Sequence, residues 1–325
     1  MMVTRIGLIG LSGVGKTTYI AIIIGHLLNP LRVRVIEPIR PELLESIDFS
    51  FESGTEAFWA EGIASIVDMM LEGTPVVASE ISKGLKELRV TIKVDSPEGT
   101  LTSEISFGDF SGEVFTTIVD PVLQSMIEES PPPSFKNAFL STLERMFGPT
   151  PADPAIAKGL EIVRKFVSGM YDGIIMLLDP VNVKNVSQVR LFYLLKAVGE
   201  SVSGRRIPVI VLFTKSLTYG IVNIPRDIEK RDHVQIRNIY MGLLDIAKTR
   251  FRGLCNLLYG KLVRGGEYDL ISVHFYDAYL HAKDSAPAVM YDPQQKVKYI
   301  VSFAPYAPLL SLIYTLNGLD PKHIY

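Results

Sequence analysis

Largely apolar stretches of strand length recur along the chain, separated by segments of helical period. Val3–Ile9, interrupted by Thr4 and Arg5, Gly173–Leu178, Pro208–Phe213 and Leu270–Phe275 read as strands. Helical spacing predicts helices near Lys16–Asn29, Glu56–Leu71, Asn185–Ser201, Arg231–Leu262 and Pro305–Asn317. Continuous apolar strands alternating with helices indicate a parallel sheet covered on both faces. Leu88–Val94 and Leu101–Phe107 instead alternate apolar with polar, and Asp95-Ser-Pro-Glu-Gly99 joins them. That pattern predicts a β-hairpin, which adds an antiparallel edge. Leu31–Ile36 is a shorter run alternating with Arg32 and Arg34, and 40–87 reads as mainly helical. Residues 112–170, broken by Pro131, Pro132 and Pro133 and by prolines 149, 151 and 154, read as helix, loop, helix. The expected architecture is one α/β domain over 1–325, a doubly wound and mostly parallel sheet. Helical insertions are expected at approximately 30–87, 112–170 and 217–265.

The run Gly10-Leu-Ser-Gly-Val-Gly-Lys-Thr-Thr18 lies between the first strand and the first helix. It fits G-x-x-x-x-G-K-[ST], a phosphate-binding loop. At ordinary glycine and lysine usage, a chance match in a chain this long occurs about once in a hundred. Gly10, Gly13 and Gly15 permit tight backbone bends, so the N–H groups of Gly13, Val14, Gly15, Lys16, Thr17 and Thr18 can converge on an anion. The helix from Lys16 adds the positive end of its dipole. Lys16 brings a mobile charge to the outer phosphates, and the Thr17 hydroxyl suits magnesium. Ser12 completes the loop. A nucleoside triphosphate with Mg2+ is the ligand this pattern implies.

Composition narrows the alternatives. Hydrophobic residues make up 47% of 325 positions, enough for a large core. The net charge of -2 gives no general attraction to nucleic acid or anionic lipid. The single cysteine, Cys255, excludes an internal disulfide framework and a cysteine zinc site, and fits a reducing, cytoplasmic setting. Histidines 26, 233, 274, 281 and 323 show no metal spacing. No signal peptide is expected, and Tyr19–Leu28 is too short to span a bilayer. Ile300–Leu316, apolar but holding Pro305 and Pro308, reads as a buried terminal helix.

A second motif follows the hairpin. Phe107-Gly-Asp-Phe-Ser-Gly-Glu113 contains D-x-x-G at Asp109 to Gly112. A carboxylate at a strand end can hold magnesium through water, and a glycine three residues on can donate its N–H to a γ-phosphate. A contact that exists only with the γ-phosphate makes a loop a switch.

With these two motifs, the hairpin and the apolar strands ending at Asp179 and Phe213, the chain resembles the small-GTPase and translation-factor branch of P-loop proteins. The resemblance implies a Ras-like fold, GTP or another NTP with Mg2+, and hydrolysis to nucleoside diphosphate and phosphate. Leu71-Glu-Gly-Thr-Pro-Val-Val-Ala-Ser79 is similar to the switch-one stretch of a prokaryotic GTPase group. By that similarity Ser79, or failing it Thr74, contacts the metal. Asp109 is the favoured metal-site acid. Asp179, which ends another apolar strand, is the alternative and would fit an ATPase or nucleoside kinase. Partition-type ATPases carry K-G-G-V-G-K-T; Leu11 and Ser12 stand against that branch.

The resemblance breaks at the base site. GTPases recognise guanine with [NT]-K-x-D, whereas Thr214 and Lys215 are followed by Ser216 and Leu217. Two charge-assisted hydrogen bonds at roughly 1.5–3 kcal/mol each are lost, or roughly 10²–10⁴-fold of base preference. Asp277, near the end of the last strand, is a candidate replacement. Glu113 occupies the place of the glutamine that orients the attacking water, and Ser12 can crowd an arginine finger. Both imply slow turnover.

The sequence thus supports a GTPase-like hydrolase acting as a switch, with Lys16, Thr17, Asp109, Gly112 and Glu113 in the chemistry. The long insertions imply a protein partner. Two alternatives stand beside this reading: a non-hydrolysing nucleotide-bound interaction protein, and a P-loop ATPase or kinase. A kinase of this size needs an arginine-bearing lid, and 125–155 offers only Lys136 and Arg145.

Overall fold

A computed structural model of the chain describes residues 4–11, 13–74, 88–107, 114–128, 134–149, 151–178, 207–213, 228–250, 271–277 and 288–325, and seven residues between 190 and 200. Among the described residues ten strands form two sheets. The larger has the order β3-β4-β5-β1-β6-β7-β8, with β1 Thr4–Ile9, β3 Asp48–Phe51, β4 Leu88–Ser96, β5 Gly99–Phe107, β6 Gly173–Leu178, β7 Ile207–Phe213 and β8 Ile271–Asp277. The smaller has the order β2-β10-β9, with β2 Val33–Ile36, β9 Ala288–Asp292 and β10 Val297–Phe303.

The apolar strands form the centre of the large sheet. Every residue of β6 is buried, as a strand covered on both faces requires. β1 pairs in parallel with β5 on one side (Gly7 opposite Ser106) and with β6 on the other (Ile9 opposite Met176). The Thr4 and Ser103 hydroxyls, 2.6 Å apart, satisfy each other at the buried β1–β5 seam. β7 and β8 extend the parallel array. The hairpin is present, β4 facing β5 from Leu88 opposite Phe107 to Ser96 opposite Gly99. Because β3 is antiparallel to β4, β4 alone runs against the other six strands.

The helices are α1 Lys16–Leu28, α2 Pro41–Glu45, α3 Glu56–Leu71, α4 Asp120–Glu128, α5 Phe135–Phe147, α6 Pro154–Val167, α7 His233–Arg250 and α8 Tyr306–Leu316. Phe115–Val119 forms a π-helical turn ahead of α4. The described residues between 190 and 200 are helical. A carboxylate from this helix, Glu200, accepts from the backbone N–H of Phe135 and Lys136 and from the Ser134 hydroxyl. It thereby satisfies the free donors at the start of α5. Arg190 pairs with Asp120 at 3.0 Å, tying the same helix to α4.

The segments 40–87 and 300–316 differ from expectation. β3 lies within 40–87, which read as mainly helical, and Ile300–Phe303 belongs to β10 rather than to the terminal helix. β10 pairs with β2 across more than 260 positions of sequence, Ile300 opposite Val33. Ala304, at a positive φ of 56°, and Pro305 turn the chain from strand into α8. The apolar run conceals this corner because both elements are buried. No helix among the described residues is long and apolar enough to cross a membrane.

Candidate functional site: the phosphate loop at the sheet's switch point

The chain leaves β1 for strands on one side of the sheet and leaves β6 for strands on the other. Ligands of open α/β sheets bind in the crevice outside the carboxyl ends of the strands, at such a reversal. The 10–18 loop follows β1 directly and therefore sits at that crevice.

The loop has the local geometry that its sequence implies. Gly15 caps α1 with φ 94° and ψ 19°, a left-handed conformation that disfavours any side chain. Gly13 also has a positive φ, 73°, and is exposed at the rim. Gly10 serves a different purpose. A Cβ there would stand 2.9 Å from the Leu177 carbonyl oxygen and 2.8 Å from Val14 Cγ2, so the loop can lie this close to β6 only with glycine. Leu11 and Val14 are buried and anchor the loop from below. The Tyr19 N–H to Gly15 carbonyl bond, 2.9 Å, closes the first helical turn. The remaining N–H groups of that turn are the free donors of a helix start.

The Lys16 ammonium bends over this cradle. Nζ donates to the carbonyl oxygens of Gly10, at 2.5 Å, and Leu11, at 2.8 Å. Burial lowers its pKa from 10.5 to about 7, since the charged form loses water. Thr17 is half-buried beside it and Thr18 is buried. Two left-handed glycines, a close-approach glycine, a helix start and one ammonium form a donor set suited to a polyphosphate. The same set offers a cation only the Thr17 hydroxyl. Among the described residues no group of three or more His, Cys, Asp or Glu could hold a metal by itself.

Asp109, Gly112 and Glu113 follow β5, and Thr214 and Lys215 follow β7; they lie outside the described residues, as do Ser12, Ser79 and Asp179. What is described is where their strands end. β5, β6, β7 and β8 run parallel to β1 and finish on the loop's edge of the sheet. Asp277 is the last residue of β8, in register with Phe213, which is itself in register with Leu178. It stands three strands from β1, roughly 14 Å at ordinary strand spacing. Thr74 follows α3, where its N–H donates to the Met69 carbonyl and finishes the helix.

Behind the loop the structure assembles a cluster that the sequence does not signal. The Tyr19 hydroxyl donates to the Pro305 carbonyl (3.0 Å), and the Tyr306 hydroxyl donates to the Ile23 carbonyl (2.9 Å). The Tyr306 N–H donates to Glu37 Oε1 (2.7 Å). Burial raises the Glu37 pKa from 4.5 to about 8, opposed by the N–H groups of Tyr306 and Ala307. The one local hint is an acid, Glu37, in the stretch Val33–Ile39, whose other charged residue is Arg34.

No family model matches the chain, and no curated protein matches it. Among solved structures, a chain of the signal recognition particle receptor SRb-GTP/SRX complex from Chaetomium thermophilum aligns at 11% identity and TM-score 0.31, covering 88% of this chain and 94% of that one. The S. cerevisiae Ski7 GTPase-like domain, bound to GTP, aligns at 11% identity and TM-score 0.33, covering 85% of this chain and 43% of that one.

Proposed function

We propose that the chain is a GTPase-like nucleotide switch that binds a nucleoside triphosphate with Mg2+ and hydrolyses it slowly. The observation that carries this reading is the loop itself. Gly10 permits its approach to β6, Gly13 and Gly15 are left-handed, and the Lys16 ammonium crosses a helix start at the switch point. In this reading the amides of 13–18 and Lys16 hold the β- and γ-phosphates, which fixes the γ-phosphorus for in-line attack by water. Thr17 would hold the metal directly, Asp109 would hold it through water, and Ser79 would join from the switch-one stretch. Magnesium, when bound, neutralises charge on the β- and γ-oxygens. Gly112 donates its N–H to the γ-phosphate, so residues near 79 and 110–116 order with triphosphate and relax with diphosphate. Glu113 accepts a hydrogen bond from the attacking water but donates none to phosphate, which keeps turnover slow.

Thr214, Lys215 and Asp277 form the base end of the site, with weaker guanine preference than an [NT]-K-x-D chain. The partner that reads the ordered state contacts the helical insertions. The single-domain reading over 1–325 and the soluble cytoplasmic setting belong to the same proposal. Competition binding with GTP, ATP, XTP and their diphosphates tests it. The expected result is magnesium-dependent binding with GTP ahead of ATP by less than roughly 10⁴-fold. Absence of any nucleotide binding sinks the reading.

A further inference from the structure

The cluster behind the loop joins three parts of the molecule that are distant in sequence. Tyr19 lies on the first turn of α1, one residue past the loop. Its hydroxyl is held by Pro305, at the corner between β10 and α8. That corner is held in turn. Ala304, at its positive φ, donates its N–H to the Ile36 carbonyl (2.8 Å), and Tyr306 donates its N–H to Glu37. Tyr306 reaches back to α1 through Ile23 and packs edge-on against His26, with ring centroids 5.8 Å apart. Glu37 Oε2 is buried and has no hydrogen-bond partner among the described residues, and the residue is only 7% exposed. A buried acid with one oxygen unpartnered is costly to ionise in place.

We propose that Glu37 and Tyr19 are positioning residues for the phosphate loop: together they fix the first turn of α1 against the β10–α8 corner, so that the loop is formed before nucleotide binds. This rests on the nucleotide-binding reading above and adds two residues that touch no phosphate. In the closed clamp Glu37 is the neutral acid. In an opened clamp it meets water and ionises at its ordinary pKa. Opening is therefore favoured as pH rises from about 4.5 to about 8, and levels off above that. Nucleotide binds the closed form, so apparent affinity scales with the closed fraction. The titratable groups around Glu37 are Tyr19 and His26 from α1 and Tyr306 from α8. From α7, His233 places Nε2 3.0 Å from the Pro38 carbonyl oxygen. Burial raises both tyrosines well above 10, so neither ionises within that window, and burial lowers His26.

The test compares dissociation constants for GTP and for ATP, with magnesium, in the wild-type chain, Glu37→Gln and Tyr19→Phe between pH 5 and pH 9. Lys16 is common to all three chains and cancels in the ratio. The expected wild-type to Glu37→Gln ratio rises from near one at pH 5 to about tenfold at pH 8, then stays level. Tyr19→Phe, which keeps the ring and loses the Pro305 bond, weakens binding about 3–10-fold at pH 6. A carboxylate with a merely structural role leaves the ratio flat with pH. A flat ratio together with unchanged Tyr19→Phe affinity overturns the clamp and leaves the nucleotide reading standing. A wild-type chain that binds neither nucleotide overturns both.

Discussion

Lys16 and Gly10 are joined by a hydrogen bond of 2.5 Å from the side-chain ammonium to the main-chain carbonyl, which closes the phosphate loop on itself. The bond runs from the first residue of α1 to the residue after β1, so the one mobile charge of the loop is stored across its mouth. A polyphosphate entering the cradle competes with two carbonyl oxygens for that ammonium. The charged oxygens win because they form charge-assisted bonds at both ends.

The Lys16 pKa makes this exchange measurable. Its folded value of about 7 lies below the 10.5 of an unfolded chain. Between those values the unfolded chain binds more protons, so this group's contribution to stability rises with pH across the window. Phosphate oxygens favour the ammonium form, so binding at pH 8 takes up a proton. Calorimetry in two buffers of different ionisation enthalpy should show buffer-dependent heat for the wild type. Lys16→Ala should abolish triphosphate binding. Equal heats in both buffers would remove Lys16 from the phosphate site.

Gly10→Ala brings a methyl group within 2.9 Å of the Leu177 carbonyl oxygen, a main-chain atom that β6 holds in place. The loop must lift from β6, which costs about 1–3 kcal/mol of stability and weakens nucleotide binding as well. Gly62→Ala on α3 is the control. A Cβ there meets nothing within 4 Å, so the substitution stabilises the chain by up to about 1 kcal/mol. Urea unfolding of the two variants should move in opposite directions.

Asp109→Ala should weaken magnesium-dependent triphosphate binding more than Asp179→Ala does. The two acids follow adjacent neighbours of β1, β5 and β6, so position along the sheet edge alone does not separate them. In the proposed site the glycine three residues after Asp109 does, because it would couple that acid to the γ-phosphate. Titration of magnesium at fixed nucleotide reads the difference, and the reverse order would assign the metal to Asp179.

The elements legible in the sequence are those whose environment is uniform along their length. Gly173–Leu178 coincides with β6 because both faces are buried, and Leu88–Phe107 reads as a hairpin because one face is not. The loop is legible because its glycines meet backbone demands that no other residue satisfies. β10 was hidden inside an apolar run that continues into α8, since burial of both elements erases any change of period. β3 is four residues, Asp48-Phe-Ser-Phe51, too few to establish alternation. Glu37 escaped because its partners, Tyr306 and Ala307, lie about 270 residues away. No local pattern encodes a contact with a helix start that far along the chain.

Glu37 also leaves a signature on stability that is opposite in sign to that of Lys16. Its folded pKa of about 8 lies above the unfolded 4.5. Below 4.5 both states hold the proton and the native chain suffers no penalty. Between 4.5 and about 8 the unfolded chain ionises while the native chain does not, so stability falls as pH rises; above about 8 the loss is complete. Glu37→Gln keeps an acceptor for the Tyr306 N–H and removes the titration. It should match the wild type near pH 4.5 and exceed it near pH 8, by an amount on the order of a few kcal/mol. Urea unfolding at those two pH values, without nucleotide, measures the gap. If the gap is the same at both, Glu37 is already ionised in the native chain, and the carboxylate beneath α8 must have a partner for its second oxygen.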